Sequence, residues 1–232
     1  MKASTWSMKI SPKGILNFCA IRSHFLRCSF RQIKIEDACW GGGRRQSGYI
    51  ECCFDAARLR SVAPGNSRFV RCTFRDVRIY EFCAHEVELI DCTFSGRIDR
   101  GYLNGTRERT RFRFFERRKN EISGNDFSKC DLRDFAFRTG VDLTRQQLPG
   151  GSQYLYVEDA AKALEKGRTA VTSWEEPEIR RLATVLLDIV EMDLKAGQKQ
   201  LFFRLPSRGQ FAIPAGRLRQ VWEGAGATVT GP

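Results

Sequence analysis

The chain has 232 residues, 42% of them hydrophobic, which is enough to form one or two folded domains. Its 39 Lys and Arg residues against 27 Asp and Glu residues give a formal net charge of +12 at pH 7. No stretch approaches the roughly 18 unbroken apolar residues of a membrane span, and the first residues lack the apolar core of a secretory signal. Nine cysteines, an odd number, favour a reducing compartment, so we expect a cytoplasmic protein without a membrane partner.

Two series of residues recur every twenty positions in the first part of the chain. They are Cys52, Cys72 and Cys92 and, two positions later, Phe54, Phe74 and Phe94. Within each interval of twenty residues, small residues recur every five positions, and bulky apolar residues follow two positions after them. A period of five fits neither an α-helix nor a single strand. It predicts a solenoid in which short extended pieces meet at corners, four pieces to a coil, with small residues in the walls and bulky residues inside.

This pattern resembles the pentapeptide-repeat family, whose consensus is A(D/N)LXX and whose fold is a right-handed quadrilateral β-helix. The best local match is the segment 125–137, Asn-Asp-Phe-Ser-Lys-Cys-Asp-Leu-Arg-Asp-Phe-Ala-Phe. The chain departs from the consensus in its frequent Phe at the central position and in Cys where the consensus prefers Ala. The resemblance implies a mainly β protein built on a right-handed quadrilateral β-helix, and it implies little about activity.

Two interruptions of the repeat and one change of pattern divide the chain. Four extra residues lie near the glycine-rich segment 41–44, and the repeat is lost in an irregular excursion near 101–121. We therefore expect an N-terminal extension at 1–14, a β-helix at 15–147 and a mostly α-helical C-terminal region at 148–232. The last region is predicted to contain helices at 157–167, at 173–197 with Ser173 as its cap, and at 214–223, with a strand or an extended clasp at 200–205.

Equivalent positions of stacked coils should form columns on the outside of the solenoid, about 4.8 Å from one coil to the next. The apolar column comprises Leu26, Ile50, Val70 and Ile90. The basic column comprises Lys34, Arg58 and Arg78. The thiol column comprises Cys19, Cys39, Ala63 and Cys83, and a polar column comprises Ser29, Cys53, Thr73 and Thr93.

The apolar column should not remain in water, because a contiguous exposed apolar patch usually marks a contact. It is covered by the C-terminal helices, it forms a dimer interface, or its side chains turn inward at the corners and belong to the core. The chain is accordingly expected to be a monomer or a homodimer.

The basic column lies in the basic half of the chain, because residues 1–145 carry 28 Lys and Arg against 17 Asp and Glu. Arginines also alternate with aromatic residues in the excursion. They are Arg107, Arg109, Arg111, Arg113, Arg117 and Arg118. Such a pattern suits phosphate binding and base stacking, and it equally suits an amphipathic edge strand with solvated arginines.

Catalytic motifs are missing from the sequence: there is no G-x-S-x-G, H-E-x-x-H, Walker loop or dinucleotide fingerprint. We expect a non-enzymatic protein without a cofactor that binds a macromolecule with an acidic surface, a nucleic acid or a nucleic-acid enzyme. Some pentapeptide-repeat proteins protect type II topoisomerases from inhibitors by imitating the negative charge of duplex DNA. That role is an alternative here, although a basic solenoid opposes it. A metal or redox site at the thiol column is a further alternative, weakened by the lack of any C-x-x-C pair.

Overall fold

A computed structural model describes residues 5–11, 14–107, 119–205 and 213–223 of the chain. It is mainly β, with parallel stacked sheets that form a β-solenoid of about six turns, followed by a helical region with three helices among the described residues. The expectation of a mainly β solenoid is confirmed. No helix in the described part of the chain is long and apolar enough to cross a membrane.

Thirteen strands build the solenoid. They are β1 (Thr5–Ser11), β2 (Gly14–Ile21), β3 (His24–Leu26), β4 (Lys34–Gly42), β5 (Ser47–Ile50), β6 (Arg58–Ala63), β7 (Ser67–Val70), β8 (Thr73–Ala84), β9 (Glu88–Ile90), β10 (Thr93–Asn104), β11 (Ile122–Ser123), β12 (Asn125–Arg138) and β13 (Gln146–Gln147). An eight-stranded sheet has the order β1-β2-β4-β6-β8-β10-β12-β13, and a five-stranded sheet has the order β11-β9-β7-β5-β3. All pairs are parallel except β1 with β2, where the N-terminal strand runs antiparallel along the edge.

Aromatic rings from successive coils lie face to face in the interior. The aromatic stack comprises Phe30, Phe54, Phe74, Phe94 and Phe127, with ring centroids 4.6 to 4.8 Å apart between neighbours. Each spacing equals the distance between adjacent strands of a sheet, because equivalent positions lie directly above one another. Phe54, Phe74, Phe94 and Phe127 are at most 2% exposed. The alignment predicted from the twenty-residue spacing is therefore confirmed.

The first interruption lies where the sequence placed it. Cys19 pairs with Cys39, twenty residues later, whereas His24 pairs with Gly48, twenty-four residues later. The four extra residues therefore lie between Cys39 and Gly48, in the glycine-rich segment. Gly41 is required there, since a Cβ atom would lie 2.4 Å from the backbone carbonyl carbon of Asn66.

The second interruption leaves the solenoid between β10 and β11. Thr106 and Lys119 form an antiparallel bridge that brings the two ends of the segment together. Asn120 closes this junction, because its side-chain amide donates hydrogen bonds to the carbonyl oxygens of Asn104 and His85 at 2.7 and 2.9 Å. The coil then resumes at β11, where Ile122 pairs with Leu89.

The C-terminal region contains strands β14 (Tyr154–Val157) and β15 (Leu201–Arg204), which pair antiparallel, and helices α1 (Ala160–Thr172), α2 (Pro177–Lys195) and α3 (Ala215–Glu223). The last strand and helix agree with the prediction, and Gly197 follows the end of α2 with a φ of 99°. Strand β14 was not predicted.

Two helix boundaries were predicted wrongly. Gly167 does not end the first helix, which continues to Thr172. Gly167 is buried, and glycine is favoured there because an added Cβ atom would lie 2.9 Å from the Val221 side chain. Ser173 does not cap the second helix. It closes the first, with its hydroxyl donating to the Ala170 carbonyl oxygen at 2.8 Å, and Glu176 precedes α2.

The C-terminal region packs on the last coil of the solenoid. Phe202 stacks on Tyr154 at 5.2 Å and meets the interior Phe137 edge to face at 6.1 Å. The Tyr154 hydroxyl and Arg204 both donate hydrogen bonds to Asp131 of β12, at 3.2 and 2.9 Å. This contact covers the apolar interior at the end of the solenoid, as terminal units of stacked repeats must.

Candidate binding surfaces

The three predicted residues of the basic column are neighbours on the eight-stranded sheet. Lys34 of β4 pairs with Arg58 of β6, and Arg58 pairs with Arg78 of β8. All three side chains are exposed, because the residue that follows each one in its strand points inward. None of them forms an ion pair with a described residue. Stacked cations about 5 Å apart repel each other by about 1 kcal/mol even in water.

A fourth cation extends the column. Arg97 of β10 pairs with Arg78, and its guanidinium lies 2.7 Å from the Asp99 carboxylate. Counting twenty residues from Arg78 leads to Ile98 instead, so the spacing in the sequence does not identify Arg97 as a member of the column. The pairing shifts by one residue between Phe94 and Gly96, where Gly96 has a φ of 93°. The sequence does contain a signal for this shift. Ile98 is apolar and is 1% exposed in the structure, so the outward position is that of the preceding residue, Arg97.

The basic column lines a shallow groove of about 420 Å³. Its other side is formed by the next outward residues, among which Arg60 pairs with Glu36 at 3.4 Å and Tyr80 is 47% exposed. The Arg100 guanidinium lies 5.5 Å from the centre of the Tyr80 ring. An exposed aromatic ring beside exposed cations is an arrangement that binds a phosphate chain and stacks a base.

The positive charge of the column ends at β12. Arg97 pairs with Asp131, whose carboxylate accepts hydrogen bonds from Arg133 at 2.6 Å and from Arg204 at 2.9 Å. Burial alone would raise the pKa of Asp131, but the hydrogen bond from Arg133 and the charges of Arg204 and Arg133 lower it below its ordinary value. The Asp131 carboxylate therefore stays ionised and holds Arg204 of the C-terminal region by this hydrogen bond.

The arginines of the excursion do not join the basic column within the described residues. Arg107 pairs with Glu86 at 2.7 Å, and its side chain is only 6% exposed, so its guanidinium does not face solvent. The other five predicted binding residues lie outside the described residues. They are Arg109, Arg111, Arg113, Arg117 and Arg118.

The apolar column is present on the five-stranded sheet. Leu26 pairs with Ile50, Ile50 with Val70 and Val70 with Ile90. Leu26 is 61% exposed and Ile50 is 39% exposed, so these side chains do not turn into the core. The described helices pack against β14, β15 and one another, and the C-terminal region contacts the solenoid through β12. The C-terminal region therefore does not cover this column in the described structure.

The thiol column also stacks, since Cys19 pairs with Cys39 and Cys39 with Ala63. All nine cysteines are free thiols. Burial, followed by the neighbouring Cys39, raises the pKa of Cys19, and burial raises the pKa of Cys130 to about 12. A thiol must lose its proton to attack a substrate, so the raised pKa of Cys19 does not favour a reactive thiol in this column. The described residues contain no group of three or more side chains that could hold a metal ion.

Comparisons of the chain with protein-family models, with curated proteins and with solved structures found no match.

Proposed function

We propose that the chain is a pentapeptide-repeat protein whose solenoid is a right-handed quadrilateral β-helix, and that it is a non-enzymatic module that binds nucleic acid along the basic column. The observation that carries the proposal is the stacking of Lys34, Arg58 and Arg78, all exposed and without an ion-pair partner among the described residues. A polyanion that binds such a surface releases the cations condensed on its phosphates, and this release favours binding.

The geometry favours a linear polyanion over a compact acidic ligand. Three strand spacings separate Lys34 from Arg97, about 14 Å in all. Along a DNA duplex this length corresponds to roughly four phosphates of one strand, at about 3.4 Å per phosphate. Exposed Tyr80 lies beside the column and offers a stacking surface, which favours a single-stranded partner with accessible bases.

The charge of the column opposes imitation of DNA. A protein that occupies the DNA site of a topoisomerase needs acidic outer columns, whereas this column is basic. An acidic protein surface also fits this charge, and binding of polyglutamate distinguishes that partner from nucleic acid.

The test is the binding of a fluorescein-labelled single-stranded oligonucleotide, followed by fluorescence anisotropy at low salt. The variant Arg58→Gln/Arg78→Gln removes two cations of the basic column. The control Lys162→Gln/Lys199→Gln removes the same net charge from exposed positions in the C-terminal region. We expect the column variant to bind about ten- to a hundredfold more weakly, because each charged hydrogen bond contributes about 1.5 kcal/mol or less here, and the control to bind like the wild type.

Polyglutamate serves as the second ligand. Binding of the oligonucleotide with loss in the column variant supports the proposal. Binding of polyglutamate without binding of the oligonucleotide would replace nucleic acid by an acidic protein as the partner. Absence of binding to either ligand, or equal losses in the column variant and the control, would overturn the proposal.

A further inference from the structure

The exposed apolar column adjoins a column of charged residues on the same face. The residue after each member of the apolar column lies at a corner of the solenoid with a φ of 52° or 53°. This corner column comprises Arg27, Glu51, Arg71 and Asp91. Its members occupy equivalent positions, since the backbone N–H of each donates to the carbonyl oxygen of the apolar residue, or of Ser123, in the next coil at 2.8 to 3.0 Å.

Charges alternate along the corner column. Glu51 lies between two arginines and accepts from Arg27 at 2.7 Å and from Arg71 at 2.8 Å. The hydrogen bonds from Arg27 and Arg71 lower the pKa of Glu51, so it is a carboxylate at neutral pH. Asp91 continues the alternation, is exposed, and forms no ion pair with a described residue.

Four positions with the signs plus, minus, plus, minus are self-complementary when one copy is reversed. In an antiparallel two-fold dimer through this face, each column lies against the same column of the second copy in opposite order. Arg27 then lies opposite Asp91 of the second copy, and Glu51 lies opposite Arg71. The apolar column is buried at the same time, with Leu26 opposite Ile90.

A parallel dimer through the same face would bring like charges together. The corner column would then face the column on the other side of the apolar residues, which contains Arg68 and Glu88. Arg71 would lie opposite Arg68, and Glu51 opposite Gly48, which carries no charge. Asp91 would gain no cation, because Glu88 is only 5% exposed and already pairs with Arg68 at 2.9 Å. The distribution of charge therefore selects the antiparallel arrangement, since opposed like charges disfavour an interface.

We propose that a second copy of this chain binds the five-stranded face, antiparallel to the first, through the apolar and corner columns. The face spans about 14 Å from the first to the last of the four strands. Its strands have only three or four residues, about 10 to 13 Å, so its area is well below the roughly 800 Å² per partner of a stable complex. The dimer is therefore weak and depends on concentration. It leaves the basic column free, because that column lies on the other sheet.

The test uses two single variants, Arg27→Glu and Asp91→Arg, studied by sedimentation velocity at increasing protein concentration. Each variant alone places like charges opposite each other at both ends of the antiparallel dimer, and we expect its self-association to weaken at least tenfold. An equimolar mixture restores an opposite charge at both ends. We therefore expect the mixture to form a heterodimer about as tightly as the wild type dimerises.

The two positions are about 14 Å apart within one chain, so recovery on mixing can only arise between chains. A cooperative thermal unfolding transition of each variant serves as the control that the variant is folded. Leu26→Ser tests the apolar column without changing charge and should weaken dimerisation, whereas the control Met192→Ser, at a 64% exposed residue of α2, should not. A wild type that stays monomeric at millimolar concentration, or a mixture that associates no better than its components, would overturn the proposal.

Discussion

Replacement of Phe74 by Ala tests the stacked interior at its centre. Phe74 is 1% exposed and lies between Phe54 and Phe94, with ring centroids 4.7 Å away on each side. Removal of a buried phenylalanine costs about 3–5 kcal/mol, and each aromatic pair adds about 0.5–1.5 kcal/mol. We therefore expect Phe74→Ala to reduce the free energy of unfolding by about 4–8 kcal/mol.

Two further variants separate the stacking from the burial. Phe74→Leu keeps most of the apolar volume and loses both stacked pairs, so we expect a loss of about 1–3 kcal/mol. Phe30→Ala changes the end of the aromatic stack, where the ring is only half-buried and has one stacked neighbour within it, Phe54 at 4.8 Å. Phe30→Ala should reduce the free energy of unfolding clearly less than Phe74→Ala does.

Urea unfolding followed by circular dichroism measures these losses, with the dependence on denaturant compared among the variants. A smaller loss for Phe74→Ala than for Phe30→Ala would refute the reasoning, because it would mean that Phe74 does not lie at the centre of a continuous stack.

Three other changes have defined outcomes. Asn125→Ala leaves the buried Cys92 N–H and Leu89 carbonyl without the partners they have at 3.0 and 2.9 Å, so urea unfolding should show a loss of about 2–5 kcal/mol; a loss below about 1 kcal/mol would contradict this. The folded pKa of Asp131 is lowered, so its stabilisation is present above the unfolded value of about 3.9 and is lost as pH falls through the folded value. Asp131→Asn should thus be less stable than wild type at pH 7 but equally stable at low pH in thermal unfolding, and a difference that persists in acid would exclude this linkage. Deletion of residues 148–232 uncovers the last coil and should give oligomers in size-exclusion chromatography, whereas a monomeric product would show that the C-terminal region is not needed as a cover.

The coil repeat was readable from the sequence because every coil places one bulky residue at the same point of its interior. The same arrangement holds across the glycine-rich insertion, since Phe30 and Phe54 are twenty-four residues apart and their ring centroids still lie 4.8 Å apart. It failed where one coil is a residue shorter. Arg97 joins the basic column because β10 shifts by one position against β8, and a fixed count of twenty cannot reveal such a shift.

The position of the C-terminal region could not be read from spacing. Its contact depends on Asp131, Tyr154 and Arg204, which are far apart in the chain and carry no periodic signal. The apolar column was correctly predicted as a set of stacked residues, but its surroundings were not. Its exposure, and the charges at the adjacent corner, became visible only once the contact of the C-terminal region with β12 was known.

The salt dependence of oligonucleotide binding tests most directly whether the basic column acts as one phosphate-binding surface. If the four cations from Lys34 to Arg97 each contact a phosphate of a single strand, the logarithm of the affinity should fall against the logarithm of salt concentration with a slope of about −2.8. Arg58→Gln/Arg78→Gln should reduce the steepness to about −1.4. A wild-type slope near zero, or an unchanged slope in the variant, would contradict the account.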